Sequence, residues 1–95
     1  MATFVVTYDL SDGWVEVKNA AKAAGFYDCV TMNDRSRRKL PNTTLFIEAV
    51  SGQAALQQFV GVVEQVNRPR FKKIVLEKIF VSQVGDFWLN SNESC

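Results

Sequence analysis

Apolar and polar positions along the chain follow two alternating periods. Thr3 to Leu10 is an apolar, β-branched run in which Phe4, Val6 and Tyr8 alternate with Val5 and Thr7, and Ser11-Asp12-Gly13 closes it with turn chemistry. From about Asp12 to Ala24 the period becomes helical. Trp14, Val17, Ala21 and Ala24 share one side, Ser11 or Asp12 stands ready to cap the start, and Gly25 supplies a stop. Phe26 to Met32 reads as a second strand interrupted by Asp28. Asn33 to Asn42 is polar, basic and ends in Pro41-Asn42, which reads as a long hairpin loop. Thr43 to Val50 alternates as a third strand. Ser51-Gly52 then opens a second helix whose Leu56, Phe59, Val60, Val63 and Val66 recur at core-facing spacing, until Arg68-Pro69-Arg70 breaks it. Phe71 to Val81 gives a fourth strand, and Gln83 to Leu89 either a short fifth strand or a docked tail.

This order predicts an α+β fold of the ferredoxin-like split βαβ kind (β-α-β-β-α-β), with two helices on one face of an antiparallel sheet. The expected organisation is a single domain over residues 1–89 and a flexible C-terminal tail over residues 90–95. Both faces of the first and fourth strands carry apolar residues: on the fourth, Ile74, Leu76 and Phe80 alternate with Val75, Ile79 and Val81. Two helices cover one face, and an uncovered apolar face marks an interface. The expectation is therefore a homodimer, the alternative being a monomer whose Phe87-Trp88-Leu89 folds back over that face.

Composition narrows the chemistry. Ninety-five residues with 47% hydrophobic and 22% charged content suit one folded domain. The chain has no histidine, which excludes Ser-His and Cys-His nucleophile pairs, histidine bases and histidine zinc sites within it. Cys29 lies inside a strand and Cys95 is the last residue, so both read as free thiols in a reducing compartment. No signal-like start and no membrane-length apolar run is present, so the expected location is cytoplasmic, with no membrane partner. Net charge is only +1, yet Arg35, Arg37, Arg38 and Lys39 form one cluster and Arg68, Arg70, Lys72 and Lys73 another, together eight of the 11 basic residues.

Two places invite a functional reading. Asp9 ends the first strand where a loop begins, either shaping the turn or serving as a functional carboxylate. The basic stretch Arg35, Arg37, Arg38 and Lys39 reads either as a solvated loop or as a DNA- or RNA-binding element, because guanidinium groups bind phosphates with paired donors. Trp14, Phe87 and Trp88 read as core or interface aromatics before they read as base-stacking platforms. The lysines near residues 72 and 73 equally suit the protection of an edge strand. A sheet face that docks another protein is a further possible use of the fold.

The opening strand ending Val6-Thr7-Tyr8-Asp9-Leu10, the helix closing on Ala24-Gly25-Phe26 and the split βαβ order resemble the second CRISPR-associated (Cas) protein family of small dimeric nucleases. They resemble equally the virulence-associated toxin nucleases and short uncharacterised relatives, whose entry to the third strand Leu40-Pro41-Asn42-Thr43-Thr44-Leu45-Phe46 is similar to. The resemblance implies a ferredoxin-like homodimer acting as a metal-dependent endonuclease or endoribonuclease. Asp9, at the family's aspartate position, would pair with its copy across the dimer around a magnesium or manganese ion, with no organic cofactor. Tyr27-Asp28-Cys29-Val30 stands where the family carries a glutamine-lysine-serine motif, and the basic hairpin is longer. These departures point away from a role in CRISPR adaptation.

Overall fold

The strand β1 (Ala2–Leu10) forms the middle of a three-stranded antiparallel sheet in the computed structural model, which describes residues 1–95. It pairs with β4 (Thr44–Ala49) on one side, Thr7 lying opposite Thr44, and with β5 (Leu76–Gln83) on the other, Phe4 lying opposite Gln83. Its period-2 pattern explains this place: Phe4, Val6, Tyr8 and Leu10 all turn to one face and are buried there. The helices α1 (Trp14–Ala23) and α2 (Gly52–Asn67) bury Val17, Ala21, Ala55, Phe59, Val62 and Val63 in the same core. Phe59 has no exposed surface; its ring centroid lies 4.4 Å from Tyr8 and 5.7 Å, edge-on, from Phe26.

A second, two-stranded sheet pairs β2 (Cys29–Thr31) with β3 (Arg37–Lys39). The stretch expected to be loop from 33 to 42 therefore contains a strand. Arg37, Arg38 and Lys39 adopt it because they lie opposite the β-branched residues Thr31 and Val30 and Cys29. The fold is α+β, with two helices, the three-stranded antiparallel sheet and this hairpin. A single antiparallel bridge, Tyr27 to Phe46, ties the hairpin's root to β4.

Several local expectations change. Neither Ser11 nor Asp12 caps α1 in the usual way. Gly13 is the N-cap, at φ 69°, and a Cβ there would collide with Ile74. Ser11 Oγ instead accepts the Val75 N–H at 2.8 Å, and Asp12 Oδ1 accepts the Gly13 N–H at 2.8 Å. In α2 the buried stripe runs through Ala55, Phe59, Val62 and Val63, with Leu56 and Val60 only half-buried, so the helix is rotated toward its small residue. Ser51 caps it as its position suggests, accepting the Ala54 N–H at 3.1 Å.

The last strand begins five residues later than the apolar run, at Leu76, and its register shifts opposite Asp9 and Leu10 so that Glu77 is left unpaired. This bulge changes the strand's parity: Leu76 before it and Ile79 and Val81 after it all pack on the helical core. The apparent two-faced hydrophobicity of the sequence arises largely from this bulge. On the other face of the sheet, β5 presents Lys78, Phe80 and Ser82.

That other face is partly covered by the chain itself. Val84 and Leu89 join a second apolar cluster around Val30, Leu40 and Phe46, and Phe87 meets Phe46 edge-on at 5.5 Å. The stretch after Gln83 is thus the docked tail of the two alternatives, not a strand. Residues 90–95, whose composition suggests a loose end, lie beside β3. Lys39 N donates to Glu93 O at 2.9 Å, Cys95 N donates to Arg37 O at 3.3 Å, and Ser94 bridges Arg38. Cys95 is joined to Cys29 by a disulfide with 6.2 Å between Cα atoms, so neither is a free thiol, and the thiol argument for a reducing compartment falls away. Sixty-six residues of separation conceal this pairing in the sequence.

Cys95→Ser is expected to lower unfolding free energy by about 2–4 kcal/mol, because the bridge closes a long loop in the unfolded chain. Urea denaturation of the wild type without reductant, against the variant, measures the difference.

Candidate nucleic-acid interface

The hairpin turn owes its shape to Asp34 and Arg35. Met32 N donates to Ser36 O at 2.8 Å and Arg35 N to Met32 O at 2.9 Å, while Asp34 Oδ1 accepts both the Ser36 N–H at 2.9 Å and the Ser36 hydroxyl. Those Ser36 bonds, with help from the Arg38 charge, hold the Asp34 carboxyl below its ordinary value. Arg35 sits at φ 70°, a left-handed conformation that favours glycine or asparagine.

The four basic residues of this hairpin are not equivalent. Lys39 is neutralised by Glu93 of the tail at 3.3 Å, and Arg38 is half-buried near Asp34. Arg35 and Arg37 are exposed and have no carboxylate partner. The tail closes the outer edge of β3, so these two guanidinium groups project from an anchored hairpin and not from a free loop.

In the second basic cluster Arg70 and Lys73 are spent on structure, whereas Arg68 and Lys72 are exposed and have no carboxylate partner. Arg70 pairs with Glu16 and, at 3.5 Å, with Asp12, joining the chain before β5 to the start of α1. Lys73 Nζ donates to the carbonyls of Asn67 and Arg70 at 2.6 Å each, closing the C-terminal end of α2. Arg68, Arg70, Lys72 and Lys73 all precede β5, so none of them protects an edge strand.

Asp9 is exposed on the face of the sheet away from the helices, directly across from Lys78. It borders a shallow cleft of about 370 Å³ lined by Thr7, Tyr8, Thr43, Lys78, Ile79 and Phe80, and by none of the hairpin cations. Asp12 is held by Arg70 and Asp34 by Ser36, so neither joins Asp9. No three His, Cys, Asp or Glu side chains converge anywhere in the chain.

Two carboxylates with no role legible in the sequence are engaged by the fold, Asp28 buried and Glu48 at the surface. Asp28, noted only as an interruption, has a 6% exposed side chain and lies 3.5 Å from Lys18 and 3.4 Å from Lys22. Burial pushes its carboxyl up, but Lys22 and Lys18 outweigh burial and hold it below the usual range. Nearby Tyr8 is pushed up to about 12, first by burial and then by the Asp28 charge. The available signal was the pair of lysines four residues apart on the polar side of α1. Glu48 accepts hydroxyl bonds from Thr3 at 2.6 Å and Tyr27 at 2.5 Å, which lower its carboxyl. Burial, then the Glu48 bond, raises the Tyr27 phenol to about 12.

No family model, curated protein or solved structure matches the chain.

Because the Asp28 pKa is depressed by folding, its contribution is complete above the ordinary carboxylate value near 4 and disappears as pH falls through the lower folded value. Asp28→Asn is expected to cost about 1–2 kcal/mol at pH 7, since its lysines are part-exposed, and to lose less stability than wild type on acidification below about pH 4. Paired urea titrations at neutral and acid pH read both effects.

Proposed function

We propose that the chain is a small nucleic-acid-binding protein of ferredoxin-like type that holds a phosphate backbone through the β2–β3 hairpin. The observation carrying this reading is the pair of exposed, unpartnered arginines, Arg35 and Arg37, on a hairpin fixed by the tail and the disulfide. Anchoring reduces the ordering cost of binding, and each phosphate neutralised releases counterions. An arginine kept at a left-handed position, where glycine would be less strained, is consistent with use of its side chain. The ferredoxin-like reading is supported by the element order and by the Tyr27 to Phe46 bridge, which extends the sequence β5-β1-β4 by one further position.

A second reading, metal-dependent cleavage by an Asp9 pair, is favoured by one feature. Asp9 stands beside Phe80, which is 63% exposed on the part of the sheet face that the tail leaves open. A second copy docked there in a homodimer would bring a second Asp9, and a magnesium or manganese ion between them would lower the pKa of bound water without a histidine base.

Arg35, Arg37 and Arg38 changed together to Ala should weaken binding to unrelated DNA and RNA sequences alike. The salt dependence should flatten by about 0.7–0.9 in log–log slope for each phosphate that is no longer neutralised. Fluorescence anisotropy across a salt series measures both; affinity and slope equal to wild type would move the interface elsewhere. For the second reading, Asp9→Asn should abolish magnesium- or manganese-dependent cleavage with the melting temperature preserved. Cleavage that survives the substitution or a chelator would end that reading.

A further inference from the structure

Trp88 exposes 91% of its surface, an unusual position for so large an aromatic side chain. Its neighbours explain how it is held there. Leu89 packs on the cluster of Val30, Leu40 and Phe46, and Phe87 meets the Phe46 ring, so the packing of both on the sheet face leaves the indole between them in solvent. The tail continues to the disulfide at Cys95, which fixes it at its far end. The result is a flat aromatic surface on an anchored segment.

That surface borders an open cleft of about 410 Å³ between Thr31, Met32 and Asn33 on the hairpin and Asp86, Phe87 and Trp88 on the tail. Thr31 is the direct cross-strand partner of Arg37, so the two side chains leave the hairpin on the same side. The cleft therefore lies between the indole on the tail and the face of the hairpin that carries Thr31 and Arg37, with Arg35 in the turn just beyond Asn33.

We propose that this cleft seats an unpaired base of a single-stranded nucleic acid, stacked on Trp88, while Arg35 and Arg37 hold the adjoining phosphates. The inference rests on the phosphate-binding reading of the hairpin and adds to it the class of strand bound. A duplex keeps its base faces stacked internally, whereas a single strand presents them to an aromatic ring. The Asp86 carboxylate disfavours a phosphate within the cleft but can accept a hydrogen bond from a base amino group. The Thr31 hydroxyl and the Asn33 amide offer both donors and acceptors to a base edge. Charge thus separates the two ends of a nucleotide, phosphate toward the arginines and base toward Trp88.

The test uses the full chain without reductant, in a Trp14→Phe background so that Trp88 is the only indole, titrated with single-stranded oligothymidylate and with a mixed-sequence duplex. Quenching of Trp88 by the oligothymidylate is expected. Trp88→Ala should weaken single-strand binding by about tenfold with duplex affinity unchanged, and Trp88→Phe should recover part of the loss. Single-strand affinity untouched by Trp88→Ala would overturn the stacking site while leaving the phosphate-binding hairpin standing. Failure of the unsubstituted chain to bind either oligonucleotide would overturn both. A change in Trp88 emission with protein concentration alone, and none on adding nucleic acid, would assign the cleft to a second copy and overturn the proposal.

Discussion

The return of the C-terminal segment across the sheet is the constraint on which the hairpin region depends. A hairpin with only three paired residues on each strand has little stability by itself. Here Val30 and Leu40 gain a buried environment only because Phe46, Val84 and Leu89 meet them, and the edge of β3 away from β2 gains backbone partners only because Glu93 to Cys95 run beside it. The Cys29–Cys95 bridge then makes this arrangement costly to leave. The helical core around Phe59 and Tyr8 requires none of these interactions. The molecule thus has a main core supported by helices and a smaller one supported by its own tail.

This division also separates structural charge from available charge. Arg70, Lys73, Lys18, Lys22 and Lys39 all direct their charge to named carboxylates or carbonyls. A count of basic residues cannot separate these from the exposed and unpaired Arg35, Arg37, Arg68 and Lys72, since only neighbours brought together by the fold cancel the paired ones. The near-neutral total therefore coexists with a locally cationic hairpin. The sheet face shows the same principle for apolar surface: what the tail covers is core, and what remains around Phe80, Lys78 and Asp9 is exposed to solvent.

Much of the main fold was legible because it is local or periodic. β1 follows from strict alternation, α2 from its Ser51 cap, apolar stripe and Arg68-Pro69 stop, and β4 from the run after Pro41. The Asp9 position at a strand end was equally legible, as was the basic character of residues 35–39. Each signal lies within a few residues of the structure it specifies, where backbone preference and solvent avoidance act directly.

What the sequence by itself determined is therefore the set of helices and main strands, their apolar faces and the location of the cationic stretch. Tertiary structure decided the rest. The parity change at Glu77 emerges only when β5 must keep Leu76, Ile79 and Val81 on one core. The burial of Asp28 depends on α1 bringing two lysines above it. The pairing of Cys29 with Cys95, the covering of Phe46 and the outward placement of Trp88 all follow from a tail folding back over segments distant in the chain. Such pairings carry no local period, because they are fixed by which surfaces remain unburied once the first core has formed.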